Sequence, residues 1–253
     1  MDINAKTKLI CLIGHPIEHS LSPDIHNYLL NKYNLNMNYV CFDVEKENLK
    51  EAVKGLKALG IKGCNVTIPH KVDIIKFLDE VDNNAKLIGA VNTIKNENGK
   101  LIGYNTDGVG FVKSIIDKGY KLKNKKILII GAGGACRSIA IELASNGVKE
   151  IEIRNRSIEN AEVICNVINK YFKTKSKCSS KPIMKSDLED IDIIINTTPI
   201  GMDKDKDNCP IDENLVIDKK ILLCDIVYNP HETKFIAWGK KNKFDVVYGI
   251  DML

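Results

Sequence analysis

Short β-branched apolar runs alternate with stretches of helical periodicity almost from end to end of this chain, and few folds accept that pattern. In the first half, "KLICLIG", "MNYVCFDV" and "IKGCNVTI" read as strands, separated by "SPDIHNYLLNKYNL" and "KENLKEAVKGLKALG". In the second of these, Leu49, Val53, Leu56 and Leu59 fall on one helical face. Parallel strands joined by crossover helices follow. "AVNTIKNENGKLIGYNTD" breaks the rhythm, and its two short strands around an Asn/Gly-rich tip read as a hairpin. From "KKILIIGAGGACRSIAIELASNG" a second series begins, with strands "KKILIIG", "EIEIRN", "IDIIINT", "ILLCDIVY" and "FDVVYG" and helices between them, a Rossmann-like set. The expected fold is α/β in two domains, residues 1–106 and 107–253, with 107–120 as a linking helix. A cleft between the two domains is expected to hold the ligands.

At 253 residues and 44% hydrophobic content, the chain is long enough to bury a core in each domain. A net charge of +4 with scattered lysines gives no sign of nucleic acid or a membrane surface, which leaves small molecules as the expected partners. The apolar stretch near the N-terminus is short and ends at Gly14 and Pro16, and no segment approaches the roughly 20 apolar residues of a membrane span, so a cytoplasmic location is expected. The eight cysteines are dispersed without a Cys-x-x-Cys pair and read as buried free thiols. Cys11, His15, His19 and His26 cross a strand end, a turn and a helix start without a recognisable ligand spacing, so no metal is expected.

"KKILIIGAGGAC" runs a buried strand into Gly131, Gly133 and Gly134 and then a helix, with small Cys136 at the third glycine's place. Gly131 permits the tight turn, Gly133 lets a pyrophosphate approach the main chain, and the helix N-terminus offers unpaired N–H groups. The bland alternative is a packing turn. About 20 residues on, where an NAD site shows an Asp or Glu, the strand ends in "RNRS". Arg154, Asn155, Arg156 and Ser157 suit a 2′-phosphate, favouring NADP over NAD. Only three of the 37 basic residues are arginines (Arg137, Arg154, Arg156), all in this strand-helix-strand unit. Strand neighbours alternate faces, so Arg154 is as readily structural as ligand-binding, and Arg156 is the expected contact.

In "NVTIPHK" a strand delivers Thr67, Pro69 is expected to start a helix, and Lys71 to project from its first turn. The helix dipole there would push the lysine toward acid or base use, and a neighbouring carboxylate would oppose that. Taken alone, Lys71 is an ordinary surface lysine. Asp107 in "GYNTDGVG" reads alone as an N-cap, Asn92 in "AVNTI" as a turn amide, and Ser22 before Pro23 as an N-cap with proline at N1, while Ser20 has no such duty. Together, two hydroxyls, an amide, a threonine, a lysine and an aspartate would recognise a polyhydroxylated acid.

"GHPIEHSLSPDIHN", "GCNVTIPHK", "GAVNTI", "GYNTDGVGF", "GAGGACRS", "NRS", "INTTPIGM", "CDIVYNP" and "YGIDML" together resemble the successive motifs of the shikimate dehydrogenase family, in order and over nearly the whole chain. The resemblance implies NADP-dependent, reversible reduction of 3-dehydroshikimate to shikimate in aromatic amino-acid (chorismate) biosynthesis, in a monomer or homodimer. It implies an N-terminal substrate domain and a C-terminal NADP domain. Carried over by motif, Lys71 and Asp107 form the catalytic pair, Ser20, Ser22 and Tyr228 bind the substrate carboxylate, and Thr67, Asn92, Lys71 and Asp107 meet the ring hydroxyls. Gly131, Ala132, Gly133, Gly134, Ala135, Asn155, Arg156, Ser157, Thr197, Thr198, Met202, Val227 and Gly249 would hold the cofactor, with Asn196 beside the nicotinamide.

Two departures stand out. Family members carry a further basic residue after the "NR[ST]" motif, where this chain has Ile158, Glu159 and Asn160, so the phosphate clamp is expected to be thinner. The family also continues past "GIDML" into a helix that gives the ligand a glutamine, and a chain without that contact is expected to bind substrate less well. Alternative readings are a quinate or dual-specificity dehydrogenase and an NADP sensor without turnover; the latter has no need of the Lys71 and Asp107 proton shuttle.

Overall fold

The computed structural model describes residues 3–252; Met1, Asp2 and Leu253, the last residue of the "YGIDML" motif, lie outside the described residues, as does the side chain of Asp203. The chain divides into two compact units, residues 1–106 and 107–253.

In the first unit the leading apolar run forms β1 (Lys8–Gly14), followed by α1 (Ser22–Lys32), β2 (Met37–Asp43), α2 (Leu49–Ala58) and β3 (Gly63–Val66). β1 pairs in parallel with both β2 and β3, as crossover helices require. α2 drives Leu49, Val53 and Leu56 onto Cys11, Ile13, Cys64 and Val66 of the sheet. Each such burial contributes about 1.5–3 kcal/mol relative to exposure. Leu59, the fourth residue of that stripe, is the C-cap and is 77% exposed, because the helix ends one residue before it.

A 3-10 helix (Asp73–Phe77), β4 (Glu80–Val81), α3 (Asn83–Ile88), β5 (Thr93–Glu97) and β6 (Lys100–Tyr104) complete the unit. β5 and β6 are joined by Asn98 and Gly99, both at positive φ (53° and 90°), the geometry of a two-residue hairpin turn. Among the described residues the sheet order is β2-β1-β3-β5-β6-β4.

The second unit opens on α4 (Asp107–Asp117) and alternates β7 (Lys126–Ile130), α5 (Gly134–Ser145), β8 (Glu150–Arg154), α6 (Ile158–Tyr171), β9 (Lys175–Ser179), α7 (Lys185–Leu188) and β10 (Ile193–Asn196), then β11 (Leu222–Asp225), α8 (Lys234–Lys241) and β12 (Asp245–Val247). Among the described residues its strands are all parallel, in the order β12-β11-β10-β7-β8-β9. That is the doubly wound arrangement, with β7 at the switch point. Ile127, Leu128 and Ile129 are buried, as central parallel strands demand. β9 has no apolar run to announce it: "KSKCS" is a polar edge strand that only its pairing with β8 defines.

α4 is packed into this unit through Gly108. A Cβ there would lie 2.3 Å from the Ser138 carbonyl oxygen of α5, so only glycine allows the two helix backbones so close. Among the described residues no helix is long and apolar enough to cross a membrane.

Candidate active site

The polar motifs of the first unit converge at the C-terminal ends of β1 and β3. The Thr67 amide donates to Ile13 O (3.0 Å) and the His15 amide to Ile68 O (2.9 Å), so the loop leaving β1 lies against the "NVTIPHK" corner. The Val66 amide donates to Asn92 O (2.8 Å) and the Val91 amide to Lys71 O (2.7 Å), fastening "GAVNTI" to the same corner. Thr67, Lys71 and Asn92 are therefore brought together, each half-buried.

The corner is not the helix start that the sequence suggested. Residues 67–70 form a turn closed by His70 N–H to Thr67 O (2.9 Å), with a cis bond before Pro69, and the next helical element is the 3-10 helix from Asp73. No α-helix begins at Pro69, so the dipole argument for Lys71 has no element behind it. His70 is buried and its Nε2 lies 2.6 Å from Val44 O, which ties the corner to the end of β2.

The serines also exchange duties. Ser22 is the first residue of α1, with Leu21 at the N-cap, and it is the Ser20 hydroxyl that accepts a backbone bond, from the Ser22 amide (3.2 Å). Ser22 lies within interaction range of the Tyr39 phenol, whose pKa is raised by burial and drawn back by that hydroxyl. Tyr39 Oη donates to Asn65 Oδ1 (2.8 Å). Asn65 Nδ2 approaches Thr93 Oγ1 (3.4 Å), Thr93 Oγ1 donates to Asn92 Oδ1 (2.9 Å), and Asn92 Oδ1 also accepts from the Thr106 amide (3.0 Å). A polar chain thus runs from Ser22 to Thr106, and it includes Asn92, itself one of the expected ligand contacts. Tyr39, Asn65, Thr93 and Thr106 were not read from the sequence; the one available signal was Asn65, an amide in the middle of a β-branched strand that must find partners when buried.

His15 pairs with Asp43 (2.9 Å) and His26 stacks on Tyr39 at 4.3 Å, so both are engaged within the fold. Among the described residues no three His, Cys, Asp or Glu side chains are grouped to hold a metal ion.

In the second unit β7 runs into Gly131–Ala132–Gly133, and α5 starts at Gly134 and Ala135. Gly131 sits at φ +105°, and a Cβ there would lie 2.7 Å from Thr197 Oγ1, so a side chain is doubly excluded. A Cβ at Gly133 would meet nothing within 4 Å, and no side chain caps α5. The exposed main chain and first-turn N–H groups at that helix end fit a pyrophosphate. Cys136 is fully buried, and burial pushes its thiol up to about 12.

At the end of β8 the two arginines part. Arg154 is 8% exposed; its guanidinium bonds Glu152 (2.5 Å), Asp187 (3.1 Å) and the carbonyls of Lys181 (3.1 Å) and Pro182 (3.2 Å). Its charge is wholly engaged inside the unit. Arg156 and Ser157 are exposed, and Ser157, the N-cap of α6, makes no side-chain cap bond. Asn155 donates to Ser157 O (2.8 Å), bracing the loop that carries them. A dinucleotide with a 2′-phosphate fits these groups.

The remaining cofactor expectations gather around β10 and β11. Thr197 Oγ1 donates to Ile130 O (2.8 Å), Thr198 Oγ1 to Asn196 Oδ1 (2.6 Å), and Asn196 Nδ2 to Asp225 Oδ1 (2.9 Å). These side chains hold the loop walls. Met202 is partly exposed, Val227 is buried, and a Cβ at Gly249 would lie 2.6 Å from the carbonyl oxygens of Ile226 and Val227. Tyr228 is half-buried, and burial raises its pKa. Asp107 is the first residue of α4 rather than its cap.

Two family models match the chain: "Shikimate dehydrogenase substrate binding domain" over residues 12–94 and "Shikimate / quinate 5-dehydrogenase" over residues 111–204. A protein of Methanocaldococcus jannaschii named shikimate dehydrogenase (NADP(+)) is 49% identical over 255 positions, covering 99% of this chain and 89% of that protein. A crystal structure of a shikimate dehydrogenase in complex with NADP+ superposes with a TM-score of 0.90 at 45% identity, over 99% of this chain and 87% of that one. A shikimate 5-dehydrogenase of Listeria monocytogenes in complex with shikimate and NAD gives a TM-score of 0.91 at 34% identity, over 100% of this chain and 89% of that one.

Proposed function

Because this chain belongs to the shikimate dehydrogenase family, we propose that it catalyses the NADP-dependent, reversible reduction of 3-dehydroshikimate to shikimate, a step of aromatic amino-acid biosynthesis. The observation that carries the reading is the corner of the first unit, where Thr67, Lys71 and Asn92 are fastened together by the Val66–Asn92 and Val91–Lys71 backbone bonds. A polyhydroxylated ring needs such a fixed set of donors and acceptors, because a site built around hydroxyls discriminates by leaving its own polar groups unpaired with the wrong ligand.

Residues 1–106 are assigned to substrate and residues 107–253 to NADP. Ser20, Ser22 and Tyr228 take the substrate carboxylate, and Thr67, Asn92, Lys71 and Asp107 the ring hydroxyls. NADP rests on Gly131 to Ala135, Asn155 to Ser157, Thr197, Thr198, Met202, Val227 and Gly249. When bound, the nicotinamide accepts or gives the hydride. Lys71 takes the proton of the reacting hydroxyl in oxidation and returns it in reduction, with Asp107 as its partner.

The test follows reduced-nicotinamide absorbance with shikimate or quinate and NADP or NAD in all four pairings, for the wild type and Lys71→Ala. Shikimate-dependent NADPH formation is expected, falling by at least about 100-fold in the variant. Quinate turnover at a comparable rate would replace the shikimate assignment with the dual-specificity one. NADP binding without turnover of either acid would leave only a sensor.

A further inference from the structure

We infer that Lys181 supplies a second cation to the cofactor's 2′-phosphate, and that the buried Arg154 fixes the loop from which it reaches. The inference rests on the NADP reading above and deepens it.

It starts from a deficit. Ile158, Glu159 and Asn160 follow "NRS", leaving Arg156 as the cation of that loop. The loop after β9 is adjacent. β8 and β9 are parallel with Arg154 opposite Ser179, so the chains leaving them start one strand spacing apart, about 4.8 Å. The Asn155 amide donates to Ser179 O (3.2 Å), joining the two loops directly. In a doubly wound sheet the phosphate of the adenosine half sits beyond the end of the second strand, here β8, and the neighbouring third strand is β9.

The β9 loop is held in place. The Ser179 hydroxyl accepts from the Lys181 amide (3.1 Å), and Arg154 donates to the carbonyls of Lys181 and Pro182. Asp187 and Glu152 take the rest of the guanidinium, so the loop is pinned by charge-assisted bonds from a side chain that is itself buried and paired. The Lys181 side chain is exposed and makes no ion pair among the described residues, and its four-carbon stem spans a strand spacing. Arg154, although it stands where a phosphate ligand would, acts through Lys181 and is a positioning residue.

Calorimetric titration of the full chain with NADP+, NAD+ and 2′,5′-ADP, repeated over a salt series, tests this on wild type, Lys181→Gln, Arg156→Gln, Arg154→Lys and the control Lys185→Gln. Lys181→Gln is expected to weaken NADP+ and 2′,5′-ADP by about five- to tenfold, to change NAD+ less than about twofold, and to flatten the salt dependence. Arg154→Lys, which loses the fork that pins the loop, should follow the same pattern, and Lys185→Gln should match wild type. NADP+ binding unchanged in Lys181→Gln while Arg156→Gln weakens it overturns this inference alone. A wild type that binds neither NADP+ nor 2′,5′-ADP overturns the cofactor reading with it. NADP+ binding sensitive to Lys181 but without shikimate turnover supports the inference and rejects only the substrate.

Discussion

Asp225, 1% exposed at the end of β11, is a carboxylate placed out of reach of water and held by three donors: Thr233 Oγ1 (2.7 Å), the Val227 amide (3.0 Å) and Asn196 Nδ2 (2.9 Å). Burial outweighs those bonds and raises its pKa to about 6. The folded state therefore binds this proton more tightly than the unfolded chain does. The group's contribution is fully present below the unfolded value of 3.8 and is lost as pH rises through about 6, a change of about 3 kcal/mol. Urea unfolding of wild type and Asp225→Asn from pH 4 to 7 should show the difference between them drifting by about that amount, and a constant difference would contradict the assignment. Tyr39→Phe tests the polar chain of the first unit. It leaves Asn65 Oδ1 without its donor, so a loss of about 1–3 kcal/mol is expected, with KM for shikimate raised several-fold and kcat within about twofold. An unchanged KM would make the chain purely structural. Beyond the amides of Asn65 and Asn196, these networks were not legible beforehand, because hydrogen-bond partners many residues apart leave no local pattern, whereas Gly131, Arg156, Lys71 and Asp107 stand inside contiguous motifs.

At the scale of elements, the sequence pattern located β1, β2, β3, β7, β8, β10, β11 and β12, since each lies in a short apolar run bounded by turn residues or a helical stretch. It missed β9, β4 and α3. The first is polar because it is an edge, β4 is only two residues long, and α3, at six residues, is shorter than two helical turns. Pro69 was read as a helix start because the sequence pattern does not distinguish that position from a turn closed on Thr67. Glycine makes the same point energetically. Gly108→Ala should cost about 1–3 kcal/mol, since the new Cβ meets backbone at 2.3 Å. Gly55→Ala, inside α2 with nothing within 4 Å, should gain up to about 1 kcal/mol. Melting temperatures of the two variants should move in opposite directions; a shift of the same sign in both would refute the close-contact account of α4 on α5.

For the whole molecule, two units with separate cores respond differently to a ligand that one of them holds. NADP+ at about 100 times its Kd stabilises the state that binds it by about 2.7 kcal/mol. Hydrogen exchange should slow most at the start of α5 and in the loops after β8 and β9, and less across residues 1–106. Equal protection throughout would mean that the chain opens only as one.

Gly108 has a consequence for the logic of the reaction. It binds α4 tightly to α5, the helix whose first turn is assigned to the pyrophosphate, and Asp107 is the residue just before it. Asp107 therefore belongs to residues 107–253 and Lys71 to residues 1–106. On the roles proposed for them, the proton relay is divided like a bank vault's two keys, one kept with each reactant. On those roles each unit by itself carries half of the relay, and only a chain with both can complete the proton transfer.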